Sequence, residues 1–195
     1  MEVWDNKNIT VEKITASGNG ALSGVLDNSS MSDQGSGVAR IPMTGHGFDV
    51  GAQIFIQGSN YYDGLHTILA VNDTDTFDIN MPQLMTSGAL PAEEFAGTEF
   101  CGVAIYNPCS SYKFVESRLH LSNTSADEAI SMTLDSHKGA FWDVVIKSEN
   151  INGETSWDWA PAASLYYNKA DVLKFAYANT NTRDWGIELI FEVRG

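Results

Sequence analysis

The chain has 195 residues, 43% of them apolar, and 25 acidic against 11 basic residues, a formal net charge of −14. That size carries one large β domain or two modest ones, and the composition is globular and not disordered. Clustered cations are needed to neutralise phosphate, so DNA, RNA and anionic lipid are excluded as expected partners.

The acidity is concentrated. Between Arg40 and Lys113 there is no Lys or Arg, while Asp49, Asp63, Asp73, Asp75, Asp78, Glu93, Glu94 and Glu99 all fall there. Solubility through net repulsion is the simple account, and docking on a basic partner is the sharper one. The start, Met1-Glu2-Val3-Trp4-Asp5, has neither the basic residues nor the apolar run of a signal peptide. No stretch reaches the roughly 20 apolar residues of a membrane span, so a soluble chain is expected.

In chain order, residues 1–37 hold one expected strand at 8–15, then turn small and polar through 16–20 and 27–37. Such a stretch buries too little apolar surface to fold alone and reads as an arm or linker. Val3, Trp4 and Ile9 are its candidate anchors. Residues 38–81 form a small β-barrel of short strands at 38–41, 53–57, 65–71 and 76–79. Turns are expected at Gly45-His46-Gly47, Gly58-Ser59-Asn60 and Asn72-Asp73. Residues 82–98, with Pro82, Gly88, Pro91 and Gly97, are a connector.

From 99 to 195 the apolar residues alternate over longer runs. Ile130, Met132 and Leu134 share a face, as do Trp142, Val144 and Ile146, and Leu173, Phe175 and Tyr177. So do Ile187, Leu189, Phe191 and Val193. Period-two runs with one apolar face are half-buried antiparallel strands, and their number points to a β-sandwich, jelly-roll-like or immunoglobulin-like. The expected fold is therefore all-β: an N-terminal arm, a small barrel and an antiparallel sandwich.

The middle unit also carries a motif. Gly45-His46-Gly47-Phe48-Asp49-Val50-Gly51-Ala52-Gln53-Ile54-Phe55-Ile56-Gln57-Gly58 runs into Tyr62-Asp63-Gly64-Leu65-His66-Thr67-Ile68. It closes on Val71-Asn72-Asp73-Thr74-Asp75-Thr76-Phe77-Asp78-Ile79. The order resembles the small β-barrel module of phage tail, baseplate and other virion proteins, named after a half-domain of the ubiquitin-activating enzyme. Asp63-Gly64 stands where Asn-Gly is usual and Gly51-Ala52 where Gly-Asp is usual; neither change breaks a turn. Residues 100–195, through 141–145, 157–161, 169–173 and 176–186, resemble β-sandwich domains of phage structural proteins.

The resemblance implies a tailed-phage virion protein, assembled in the host cytoplasm. It would make protein–protein contacts with capsid or tail subunits and form a homo-oligomer, with a trimer the first expectation. Head decoration is favoured over a tail or baseplate position. The alternative is a receptor- or glycan-binding module of a tail fibre or tail tip. The resemblance transfers no active site.

The residues weighed for chemistry give none either. His46, His66, His120 and His137 share no ligand spacing with one another or with Cys101 and Cys109, whereas zinc needs three or four convergent ligands. His46 has a structural part to play, before Gly47 at a turn. Asp73, Asp75 and Asp78 lack the glycine and distal glutamate of a calcium loop, and Asp78 is expected to point outward with Thr76. Glu93, Glu94 and Asp158 do not read as a glycosidase pair. No catalytic, metal or cofactor site is expected, and the two thiols are expected reduced, although a disulfide across Asn107-Pro108 is conceivable. The candidate contact residues are Trp157, Trp159, Tyr166 and Tyr167. Their alternation places both tryptophans on one face, in the core, at a subunit interface or against a sugar.

Overall fold

The computed structural model describes residues 9–27, 31–81, 100–137 and 142–194. The expected anchors Val3 and Trp4 and the connector 82–98 lie outside them. Among the described residues the chain is all-β, with sixteen strands in three antiparallel sheets.

The first sheet runs β1 (Ile9–Gly18), β16 (Trp185–Arg194), β10 (Tyr112–Leu121) and β13 (Ser156–Trp159), with β14 (Leu165–Tyr167) beside the other end of β10. The second runs β12 (Val144–Asn150), β11 (Ala129–Asp135), β15 (Val172–Ala176) and β9 (Ala104–Tyr106). Together they are the sandwich. Leu119 and Leu121 of β10, Leu189 and Phe191 of β16, Ile130 and Met132 of β11, and Phe175 of β15 are all buried in its core. Alternation puts their polar neighbours on the outer faces, as the sequence pattern predicts.

The third sheet curls as a half-barrel. Its order is β2 (Ser23–Val25), β8 (Phe100–Gly102), β5 (Gln53–Gln57), β6 (Gly64–Val71), β7 (Thr76–Asn80), β4 (Val38–Pro42) and β3 (Ser32–Gly35). β6 pairs β5 with its first half and β7 with its second, with a register shift between Ile68 and Ala70 that bends the sheet. Ile54 and Ile56 point into the curl, while Phe55 points out and is still buried. Its ring lies 4.8 Å from that of Tyr106, beside Ala104 and Val172 of the sandwich. The unbroken Ile-Phe-Ile run of β5 follows from that: both of its faces are covered.

Residues 9–18 of the segment read as an arm are a full strand, β1, paired along its whole length with the last strand, β16. The chain then crosses to the half-barrel through a tight backbone contact. Asn19 N–H donates to the Gly47 carbonyl at 2.7 Å. Gly47 has φ +57°, and a Cβ there would stand 2.2 Å from the Gly20 nitrogen. Only glycine meets both conditions. Buried Asn179 fixes the crossing by donating to the carbonyls of Asn19, Gly20 and Arg183, and Trp185 Nε1 donates to Gly20 at 2.7 Å.

A second seam is built on charge. Asp135 at the end of β11 accepts from Lys174 Nζ at 2.7 Å and from Gln57 Nε2 of the half-barrel at 2.8 Å. The apolar core runs without a break from Ile41, Ile54 and Phe77 of the half-barrel to Leu173 and Leu189 of the sandwich.

Candidate interaction surface

Trp157 and Trp159 of β13 stand opposite Leu119 and Ser117 of β10, on the inner face of their sheet. The two indoles lie nearly parallel, 6.5 Å apart at 13°, and Trp159 stacks on Phe114 at 5.5 Å. Trp157 is buried, Trp159 is partly buried against the core, and Tyr167 is buried against Tyr112 with ring centres 5.3 Å apart. Tyr166, one residue along on β14, faces outward and is 52% exposed. Of the four candidate contact aromatics, three therefore build the sandwich interior, and Tyr166 faces solvent. Ile9, the one described anchor, is half-buried and paired with Arg194 at the start of β1.

The histidine and aspartate positions near the half-barrel resolve into local structure. Buried His46 accepts from Phe48 N–H through Nδ1 at 3.0 Å and donates through Nε2 to the Asp73 carbonyl at 3.2 Å. That holds the neutral tautomer, and burial lowers the ring's pKa below its ordinary value. Asp73 caps its own turn, accepting from Asp75 N–H and Thr76 Oγ1. Asp78, expected to point freely outward, is buried instead. Arg40 Nε covers it at 2.8 Å and Asn72 Nδ2 donates to it at 2.8 Å; the Arg40 and Asn72 bonds hold its carboxyl below the ordinary range despite its burial. Cys101 is a buried free thiol and Cys109 an exposed one. Among the described residues no three His, Cys, Asp or Glu side chains are grouped to hold a metal.

An exposed apolar cluster lies outside the expected contact residues. Trp142, expected to share a half-buried face with Val144 and Ile146, is 62% exposed, and Val144 and Val145 are 49% and 62% exposed. The reason is geometric. β12 is an edge strand, and its register shifts opposite Met132 and Thr133, so Ile146 is the extra residue and the alternation breaks there. Adjacent Val144-Val145 was the available signal, because two neighbouring strand residues cannot both face one core. The far half of β12 is guarded by Lys147 and Glu149, an ion pair at 3.1 Å; charges of this kind discourage edge pairing. Among the described residues the near half, Val144 and Val145, carries no charged side chain of its own; Asp143 stands just before it.

A second feature lies on the outer face of the first sheet. A groove of about 480 Å³ runs across four strands, lined by Thr15, Arg118, His120, Ser156, Asp158 and Glu188, with Gly186 in its lining. Ion pairs cross this face: Lys13 with Glu188 at 2.6 Å, Arg118 with Glu116 at 2.8 Å and Lys113 with Glu192 at 3.0 Å.

Compared with protein-family models and with curated proteins, the chain matches none.

Proposed function

We propose that this chain is a non-enzymatic structural component of a tailed-phage virion, making protein–protein contacts on the particle. A head decoration or accessory position is favoured over a tail or baseplate one. The observation that carries the proposal is the pairing of the virion-type motif with an exposed apolar end on an edge strand. Residues 45–79 fold into part of a curled β-unit in which the motif residues hold the turns: His46 ties Phe48 to Asp73, and Gly47 permits the crossing at Gly20. That unit is locked to a sandwich whose edge strand presents Val144 and Val145 to solvent, with exposed Trp142 just before the strand. Exposed apolar residues on a free strand edge are a template for another chain. A homo-oligomer with neighbours on the particle fits this surface.

The test is direct. Particles of the phage whose genome encodes the chain are purified and probed by immunogold labelling and by mass spectrometry of their proteins. The chain is expected in the particle at a fixed copy number, with the label on the head surface for a decoration protein. Particles that lack it, with the chain present only as a free monomer in the lysate, would overturn the proposal.

A further inference from the structure

Gly186 lies in a regular run of antiparallel pairing, opposite Ser17 of β1 and His120 of β10, with no register shift beside it. Its backbone is not in the left-handed region that favours glycine, and a Cβ built on it would meet no atom within 4 Å. Neither conformation nor crowding calls for glycine here, unlike at Gly47. Glycine weakens a strand interior, and where no bulge or bend explains it, the usual reason is close approach by a ligand or another backbone.

What surrounds Gly186 fits a ligand. The groove brings together the hydroxyls of Thr15 and Ser156, the imidazole of His120, the carboxylates of Asp158 and Glu188 and the guanidinium of Arg118. These groups donate and accept in both senses. Arg118 is already shared between Glu116 at 2.8 Å and Glu188 at 4.0 Å, and Glu188 also takes Lys13 at 2.6 Å, so these carboxylates already answer the positive charge an anion would seek. The volume falls within the range of small-molecule sites.

We infer that the groove over Gly186 is a binding site for a neutral polyhydroxylated ligand, a saccharide unit. The sugar's hydroxyls bond the ring of polar side chains, and one face lies on the bare backbone of β16. This site is on the opposite face of β13 from Trp157 and Trp159, and the inference does not rest on the structural role proposed above.

The 195-residue chain, labelled with ¹⁵N, is titrated with glucose, galactose, mannose, N-acetylglucosamine and lactose, and separately with sulfate, while amide shifts are followed. The amides of His120, Ser156, Asp158 and Gly186 are expected to move together and saturate with at least one sugar at millimolar concentration. Gly186→Val places a strand-favouring side chain into open space, so its Tm is expected to equal or exceed the wild type while sugar binding weakens about tenfold or more. No saturable shift with any sugar would overturn the inference. So would a folded Gly186→Val that binds as tightly as the wild type, or a response of these amides to sulfate alone.

Discussion

Trp157 on β13 donates its indole N–H to Glu149 on β12 at 2.8 Å, bridging the two sandwich sheets at their shared open side. Trp157 is buried and Glu149 is half-exposed, so the bond closes the rim of the core over the stacked indoles. The Trp157 bond, with Lys147 next to it, holds the Glu149 carboxyl below its ordinary range.

Trp157→Phe removes that donor and leaves a carboxylate that water can still reach. The expected loss is about 1 kcal/mol for the bond, plus the packing change where the smaller ring replaces indole. Urea unfolding of Trp157→Phe, Glu149→Gln and the double variant separates the two. A coupling energy near zero in that cycle would mean the bond adds nothing to stability.

Gly47→Ala is expected to be far more costly than an ordinary surface change. It forces a left-handed φ on alanine and drives a Cβ into the backbone of Gly20, a combined loss on the order of 4 kcal/mol. Thermal unfolding, or failure to recover soluble protein, reads it out; a Tm within a few degrees of wild type would contradict the crossing.

These two sites show what local sequence carries and what it does not. β16 and β5 are legible because alternation in one and an unbroken apolar run in the other report which faces are covered. The small residues at 16–20 read as a linker, yet Gly18 and Gly20 are glycine because a second backbone passes within contact distance. That reason lies about thirty residues away, at Gly47, and no local pattern contains it. The pairing of Ile9 with Arg194 is likewise invisible to periodicity, which gives the face of a strand and not its neighbour. Alternation puts Trp157 and Trp159 on one face, and of the core, an interface or a sugar it is the core that this face meets. The open surface fell instead to Trp142 and Val145, where the register shift interrupts the pattern on which the reading depends.

Acid should weaken the seam at Asp135. Burial opposes its ionisation, but the Lys174 ammonium, the His137 amide and the Gln57 amide together hold its carboxyl at about 2, against an ordinary 3.8. The folded pKa is depressed, so this stabilisation is complete above pH 4 and is lost as pH falls towards 2. At about 1.4 kcal/mol per pKa unit it amounts to roughly 2 kcal/mol. Asp135→Asn is expected to be less stable at neutral pH and to lose less stability across that window; an unchanged pH slope would contradict it.

A separate loss is expected at milder acidity. Burial lowers the pKa of both His46 and His66 below the ordinary 6.5, so the unfolded chain takes up protons that the folded chain resists. Stability from this source is present above pH 6.5 and falls as pH drops below it. Imidazole C–H shifts followed by NMR should show both rings titrating below the value of a free histidine. A ring titrating at or above it would contradict the buried, neutral assignment.

Val145→Lys tests the edge of β12 without disturbing the fold. Val145 is 62% exposed and lies outside the apolar core, so its replacement is expected to change stability by no more than about 0.5 kcal/mol. A lysine there extends the guard already given by Lys147 over the apolar end of the strand, and edge lysines oppose pairing with another chain. If the chain is the virion subunit proposed and this edge is its contact surface, light scattering after size exclusion should show the variant shifted towards monomer, and particles assembled with it should carry less of the chain. Trp142→Ser should act in the same direction, because it removes the largest exposed apolar side chain beside Val144. Charge reversal on the far side of the molecule, at Glu192→Lys, serves as the control and is expected to leave assembly unchanged. Equal incorporation of the β12 variants and the wild type would move the contact away from this strand.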